Sequence, residues 1–342
     1  MDKLSVVILN WNGINFLKKF LPSLIQHTMA PGISLVVADN NSSDQSVEFL
    51  VSNYPNIRLI QLDENFGYAG GYNKALEQIE SEYFVLLNSD VEVTKNWYQP
   101  VLEFMDQHPQ VAAAMPKILS YDHTSHFEYA GAAGGYIDRF GFPFCRGRIL
   151  SNIEEDHGQY DAPIEIFWAS GACMFVRSAA YHEAGGLDAD FFAHMEEIDL
   201  CWRLKRLGYS VFALPVSKVY HVGGGTLPNN NPRKLYFNYR NSLYLLQKNL
   251  PRRKLIPILI MRMMLDGASS LVYLSKFSFS FFWAVFRAHV RFYLSAYSNH
   301  KKRVAFDKKE KVSGVGQIFQ GSMVFTFIVR KKHTFGYYQQ NL

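Results

Sequence analysis

Tyr83-Phe84-Val85-Leu86-Leu87-Asn88-Ser89-Asp90 decides the fold. Its first five residues are aromatic or branched and read as a short buried strand, so Asn88-Ser89-Asp90 marks the point where that strand breaks surface. In open α/β sheets ligands bind beyond the carboxyl ends of the strands, and a carboxylate there can hold a metal ion against a phosphate. Alone, the tripeptide reads more simply as an Asx turn with a capping Asp. Its neighbours decide the matter.

Leu4-Ser5-Val6-Val7-Ile8-Leu9 is a second near-continuous apolar run, ending in Asn10-Trp11-Asn12-Gly13. Ser34-Leu35-Val36-Val37-Ala38 ends in Asp39-Asn40-Asn41-Ser42-Ser43-Asp44, with an amphipathic stretch on each side. Ile57-Arg58-Leu59-Ile60 leads into Glu64 to Asn73 and a helix from about Lys74. Strands alternating with helices predict a doubly wound parallel sheet, with the polar loops gathered at one edge. A dehydrogenase would need G-x-G-x-x-G after the first strand, where only Gly13 occurs, and the Walker Gly-Lys-Ser/Thr ending is missing too. A nucleotide here must be gripped by side chains and a metal rather than by a glycine cradle.

Seven stretches, taken in order, resemble the inverting nucleotide-sugar glycosyltransferases of family 2, which have the GT-A fold. They are Val7 to Asn12, Val37 to Asp44, Asn65 to Asn73, Leu87 to Asp90, Ser170 to Met174, Glu196 to Arg203 and His221 to Thr226. The resemblance covers about two-thirds of the chain, and within the family the wording is most similar to the bacterial rhamnosyltransferase branch. It implies an α/β chain of GT-A type, a Rossmann-like mixed sheet flanked by helices, over residues 1–232. Its nucleotide-binding half spans about 1–120 and its acceptor-side half about 121–232. Residues 233–342 form a helical, basic and apolar C-terminal extension.

The resemblance also implies roles. Asp90 is the carboxylate ligand of Mg2+ or Mn2+, at the last position of an Asp-x-Asp-type motif. Asn88 replaces that motif's first Asp, which leaves the charge on Asp90 with Glu92 as a helper. His221 joins the metal and diphosphate, and Gly223 to Gly225 let the backbone come close. Asp39 accepts from the N3–H of the base while Leu9 and Asn10 frame the ring. Asn12, Asp44, Asn65, Gly67, Asn73 and Ser89 complete the nucleotide and phosphate side. For several of these the plain structural reading is a helix N-cap or a loop glycine, and for His221 a satisfied structural histidine.

Glu196, Glu197 and Asp199 crowd one helix start, where the helix dipole tolerates negative charge. In isolation this is an acidic first turn on a helix ending in Lys205-Arg206. In family terms it is the Glu-Asp-x-Asp motif, and Glu197 takes the position of the catalytic base, with Asp199 in reserve. Arg203, one turn on, is placed to pair with Asp199. Gly171 and Ala172 form the wall between donor sugar and acceptor, and Trp168 offers an aromatic face to a sugar ring or else fills a core. The stretch from about His123 to Pro163 lacks periodicity and reads as a long loop region shaping the acceptor pocket.

Charge divides the chain. From residue 251 onward 16 Lys and Arg face 3 Asp and Glu, while the first 250 residues hold 19 against 27. The basic part also carries apolar runs, Leu255 to Met261 and Phe277 to Phe286, interrupted by Arg262, Asp266, Lys276 and Arg287 so that no uncharged run reaches the roughly 18 residues of a spanning helix. Such a pattern fits peripheral contact with an anionic membrane, or else an ordinary packed subdomain. No nucleic-acid recognition module accompanies the charge. Cys145, Cys173 and Cys201 show no framework spacing, and the N-terminus enters a strand directly, which predicts a reduced cytoplasmic chain without a signal peptide, peripheral at the inner face of the membrane.

The reading is a metal-dependent inverting glycosyltransferase that moves a sugar of the L-rhamnose kind from a dTDP- or UDP-sugar to a saccharide or lipid-linked acceptor in surface polysaccharide synthesis. The rivals are a sugar-nucleotide-producing nucleotidyltransferase, a non-catalytic sugar-nucleotide-binding protein and a membrane-surface scaffold. The first would need a Gly-rich basic loop that Asn12-Gly13-Ile14-Asn15 does not supply.

Overall fold

A computed structural model describes residues 1–223, 231–312 and 314–342. Gly224, Gly225 and Thr226 lie outside the described residues. The chain begins β1 (Asp2–Asn10), α1 (Ile14–Thr28), β2 (Ile33–Asp39), α2 (Ser46–Asn53), β3 (Arg58–Gln61), α3 (Gly67–Leu76), β4 (Ser81–Asn88), β5 (Val91–Val93), α4 (Gln99–Gln107) and β6 (Val111–Ser120). The short strands β7 (Gly135–Asp138), β8 (Pro143–Cys145), β9 (Arg148–Ile149), β10 (Asn152–Ile153) and β11 (Ile164–Glu165) follow. Next come β12 (Cys173–Arg177), α5 (Ser178–Ala184), α6 (Glu196–Arg206) and β13 (Ser210–His221). The C-terminal part holds α7 (Pro232–Asn249), α8 (Arg252–Ser275), α9 (Phe279–Asp307), β14 (Ile318–Phe319), α10 (Met323–Ile328) and α11 (Phe335–Gln339).

The main sheet runs β11-β13-β6-β12-β4-β1-β2-β3, with β5 paired to β13. Strands β4, β1, β2 and β3 are parallel; the apolar stretches that predicted β4, β1 and β2 are buried on both faces, as a sheet covered by helices requires, whereas β3, at the sheet edge, buries only Ile60. Their register explains the site. Asn10 lies opposite Asp39, Leu9 opposite Asn88, and Asp39 opposite Gln61, so the loops after four strands leave the sheet side by side. Antiparallel β12 then sets Cys173 opposite Leu87, while β13 pairs with β5 and sets His221 opposite Val91. Sequence reading missed β6 and β12.

One expectation needs correction. The stretch from His123 to Pro163 is no plain loop: β7 to β10 belong to a second, five-stranded sheet ordered β10-β9-β8-β7-β14. Its strands are two to four residues long, too short to show the alternation that reveals a strand. The C-terminal part is helical, as expected, and it also reaches back to this small sheet. β14 pairs in parallel with β7, and Phe335 and Tyr338, both fully buried, pack on Phe144. Among the described residues α8 is the one helix long and apolar enough to cross a membrane by length and composition, with a mean hydropathy of 1.6.

Phe335 touches Tyr136, Phe144 and Tyr160, so the end of the chain closes the small sheet. Phe335→Ala is expected to lower unfolding stability by about 3–5 kcal/mol, the usual cost of emptying a buried aromatic site. Urea unfolding measures it, and a loss below about 1 kcal/mol would show that this segment is not part of the same folded unit.

Candidate active site

The loop after β1 folds onto the loop after β2 through hydrogen bonds among short polar residues. Asn10 Nδ2 donates to Asp39 Oδ2 at 3.0 Å and Ser42 Oγ at 3.2 Å. Ser42 donates to Asp39 through its amide (2.9 Å) and its hydroxyl (2.6 Å). A carboxylate offers about four lone-pair sites, so Asp39 keeps capacity for one further donor. Asn10 Oδ1 is buried without a partner, and a Cβ at Gly13 would lie 2.3 Å from it. The cradle therefore carries an unmet acceptor beside a buried carboxylate, an arrangement that suits a ligand N–H. Leu9 packs on Gly71, and Ser89 faces Gly13.

The remaining residues expected on the nucleotide side are taken up by the framework. Asn12, at φ +52°, accepts from the amides of Ser43 (2.7 Å) and Asp44 (3.3 Å) and staples the two loops. Asp44 accepts from the amides of Ile14 and Ser46, both at 3.0 Å, and so caps α1 and α2 at once. Asn65 accepts from Asn40 and from the Gly67 amide. Gly67 has φ +70° and passes so near Phe192 that a Cβ would sit 2.6 Å from its carbonyl oxygen. Asn73 uses both ends of its amide on Leu187, with Tyr181 donating to the same oxygen, and clamps α3 to the turn before α6. For Asp44, Asn65 and Asn73 the capping and clamping reading replaces the direct-contact one.

At the other end Asp90 Oδ1 lies 3.1 Å from His221 Nε2, and both residues are buried. Asn88 Nδ2 stands 3.5 Å from the same nitrogen, while Glu92 sits opposite Tyr220 in the β5–β13 ladder. The other ring nitrogen, Nδ1, is 3.4 Å from Glu128 Oε2, a buried carboxylate that sequence reading missed because it lies in the aperiodic stretch. Burial disfavours a charged imidazole, but Asp90 and Glu128 outweigh it and lift the His221 pKa to about 10. Asp90 and His221 would hold one hard divalent cation between them once the cation displaces the Nε2 proton, since only the neutral imidazole is a ligand. Among the described residues no three His, Cys, Asp or Glu side chains converge on one point, so a cation held here would need phosphate oxygens and water to complete its shell. A cavity of about 400 Å³ opens here, lined by Glu128, His221, His123, His126, Tyr129 and Lys234.

Gly171 and Ala172, expected as the wall between donor sugar and acceptor, are held by contacts to neighbouring elements. Ala172 O accepts from the Asn88 amide at 3.0 Å, which sets the wall beside Asn88 and Asp90. Gly171 O accepts from Tyr68 Oη at 2.6 Å, and a Cβ on Gly171 would strike that hydroxyl. Trp168, however, is buried, donates to Tyr136 O at 3.0 Å and covers Gly135 so closely that a Cβ there would be 2.1 Å from the indole. It is a core residue and presents no face to a sugar.

The three carboxylates of α6 have different surroundings. Asp199 is fully buried and receives Arg203 Nε, Lys248 Nζ and Asn249 Nδ2, each at 2.8 Å; against burial, the two cations hold its pKa down. It is a structural anchor and has no role left as a reserve base. Glu197 is half-buried and its Oε2 has no partner among the described residues; burial pushes its pKa up to about 7 against the pull of helix-start amides. Glu196 is more buried, also has an unpartnered Oε2, and burial together with the charge of Glu197 raises its pKa well above the usual range. The expected Asp199 and Arg203 pair is present, and Arg203 also donates to Ala184 O.

The loop that delivers this helix is strained: Phe192, His194 and Met195 all have φ between +64° and +72°. Such conformations persist only when surroundings over-determine them. Here Asn241 Nδ2 lies 2.7–3.0 Å from the carbonyls of Phe191, Ala193 and His194, and Arg240 donates to those of Asp190 and Phe191. Nothing in the sequence singled out α7 for this work, since helical periodicity does not reveal which polar side chain meets a distant loop.

The fold and these two ends define a GT-A-type glycosyltransferase. Residues 5–185 match the family described as Glycosyl transferase family 2, more than half of the 342 residues, and the chain belongs to that family. It is 26% identical over 234 residues to the N-acetylglucosaminyl-diphospho-decaprenol L-rhamnosyltransferase of Mycobacterium tuberculosis, covering 64% of this chain and 76% of that one. The structure of GalNAc-T7 with UDP, GalNAc and Mn2+ superimposes with a TM-score of 0.58 at 16% identity, over 72% of this chain and 48% of that one. S. aureus TarS with UDP-GlcNAc superimposes with a TM-score of 0.54 at 14% identity, over 92% and 97%.

Removing the anchor carboxylate leaves Arg203 and Lys248 buried without it. Asp199→Ala is expected to cost about 3–5 kcal/mol of stability. Chemical unfolding checks this, and an unchanged midpoint would return Asp199 to the list of reaction candidates.

Proposed function

We propose that this enzyme is a metal-dependent inverting glycosyltransferase that moves L-rhamnose from a dTDP- or UDP-sugar to a lipid-linked saccharide acceptor. It would act at the cytoplasmic face of a bacterial membrane, in surface polysaccharide synthesis, held there peripherally by its basic C-terminal part. The observation that carries the reading is Glu197: an unpartnered carboxyl oxygen, with a pKa of about 7, on the helix start beside the Gly171 wall. Tyr68 links the two, since it donates to Gly171 O while its own hydroxyl, first through burial, then through Tyr72 and the charges of Glu196 and Glu197, is held protonated. The rhamnose assignment rests on the likeness to the mycobacterial rhamnosyltransferase.

In this mechanism Asp39 and Asn10 hold the base, and the loop after β4 turns the diphosphate toward Asp90 and His221. A divalent cation bound there supplies Lewis-acid stabilisation of the departing diphosphate. Glu197 takes the proton from the acceptor hydroxyl as its oxygen bonds to the anomeric carbon. The bond from that carbon to the diphosphate oxygen breaks on the opposite face, so the configuration inverts and a nucleoside diphosphate leaves. Glu128, on the far nitrogen of His221, orients the ring toward Asp90.

Glu197→Gln is expected to lose about 10²–10⁴-fold in turnover with donor affinity nearly unchanged. Because the base works deprotonated, kcat/KM of the wild type should rise with pH through about 7 and level off above it. A flat profile from pH 5 to 9 would dismiss Glu197 as the titrating base. EDTA should abolish transfer, and Asp90→Ala should weaken metal-dependent donor binding by calorimetry. Full activity in EDTA would move leaving-group stabilisation onto Arg or Lys.

A further inference from the structure

The helices α8 and α9 each leave a continuous apolar stripe uncovered. On α9 the exposed large apolar side chains are Phe279, Trp283, Phe286, Val290, Tyr293 and Tyr297, spaced by fours and threes, with Leu294 beside Tyr293. At 100° per residue they fall within about 100° of arc. On α8 Ile256, Ile260, Met264 and Leu271 do the same. The turn that joins the helices carries Phe277, 80% exposed, at φ +55°. Apolar surface of this extent is rarely left open to water.

Charge says what covers it. From Gly267 to Phe306 there is no Asp or Glu, whereas Lys276, Arg287, Arg291 and Lys301 are exposed. Arg287 and Arg291 flank the α9 stripe on one side. A second copy would bring these cations against their like, whereas an anionic bilayer neutralises them while Trp and Tyr settle at headgroup depth. The two charges that interrupt α8 point the other way. Arg262 and Asp266 are buried, paired at 2.8 Å, and joined by His289 Nε2 at 3.3 Å from Asp266 Oδ2; Arg262 also meets Phe140 O and the Phe142 ring. For α8 to cross a bilayer this cluster would have to be pulled out of the protein into hydrocarbon, so the pair holds the helix against the catalytic domain.

We infer that the α8–α9 hairpin is an interfacial membrane anchor that lies in an anionic lipid surface, with the aromatic stripe of α9 and the Phe277 turn inserted to headgroup depth. It rests on the lipid-linked acceptor reading for its use, and on the exposed stripe alone for its binding. Because α9 packs on α7, and α7 holds both Asp199 and the loop before Glu196, the anchor would bring the catalytic helix to a fixed height above the lipid.

The full-length protein is tested against phosphatidylcholine vesicles with and without about 30 mol% phosphatidylglycerol, by co-sedimentation and by quenching of tryptophan fluorescence with bromine-labelled acyl chains. Binding should require the acidic lipid and fall as salt rises. In a Trp11→Phe background, needed because Trp11 is also exposed, quenching should disappear in Trp283→Phe, which keeps the stripe aromatic; Trp97, Trp168 and Trp202 are buried and should contribute little. The combined change Phe279→Ser, Trp283→Ser and Phe286→Ser should weaken binding at least about tenfold without lowering the melting temperature or donor hydrolysis. Wild-type protein that ignores acidic vesicles, or a triple variant that binds as before, overturns the anchor. A wild-type dimer that the triple variant converts to monomer, with no vesicle binding in either, identifies a second copy as the occupant. Vesicle binding without sugar transfer would sink the proposed activity and leave the anchor standing; transfer to a soluble acceptor without vesicle binding would do the reverse.

Discussion

The buried carboxylate of Asp199 is the interaction on which the rest of the site depends. It is wholly removed from water, which no carboxylate tolerates alone, and the cations that compensate it come from two different elements. Arg203 lies on its own helix and Lys248 on α7, so the electrostatic requirement of one side chain docks the C-terminal helices onto the catalytic domain. Lys248 extends the link to Asp188, just before the strained loop, where Lys302 of α9 also arrives. The helix start that carries Glu196 and Glu197 is thereby held by charges that its own segment does not supply.

That docking also creates the contrast between the three acids. Cations and hydrogen bonds consume Asp199 and keep it ionised, whereas Glu197, two residues away, gains burial without a cationic partner and moves to about pH 7. Neighbouring groups whose surroundings push their pKa values apart are how one small region divides structural from chemical duty. Glu196 exaggerates the trend, because the charge of Glu197 adds to its burial. The same division recurs across the cleft. Asp44 is satisfied by helix amides, while Asn10 Oδ1, near Asp39, is left without a donor.

Strand runs and the loops at their carboxyl ends were legible in the sequence because a buried parallel strand must be apolar throughout and its exit must be polar. Asp90 and Asp39 stood out for that reason, and His221 and Glu197 through the family resemblance of the segments that carry them; the β5–β13 pairing that brings Asp90 to His221 was not legible. Three kinds of feature were not legible. Strands of two to four residues carry no usable period, which hid the second sheet and Glu128 with it. Trp168 reads alike as a sugar platform or a core residue until Gly135 is seen beneath it. Asn73 and Asp44 sit where nucleotide contacts and helix caps share the same residue types, and only their hydrogen-bond partners separate the two.

The divided charge of the chain follows from the same physics. Part of the basic excess beyond residue 250 is used internally: Lys302 on Asp188 and Asp190, Lys311 on Glu183, and Arg303 on the backbone of Gln247 and Leu250. These contacts draw the acidic catalytic half and the basic C-terminal part together. What they leave over is not spread evenly, since Lys276, Arg287, Arg291 and Lys301 lie on or beside the hairpin whose apolar stripes face outward. A helix pair needed only for packing would gain nothing from keeping its aromatic side chains exposed among these cations. The inward face of α8, with its Arg262 and Asp266 pair, meets the packing requirement, so the outward face is free to answer to a different solvent.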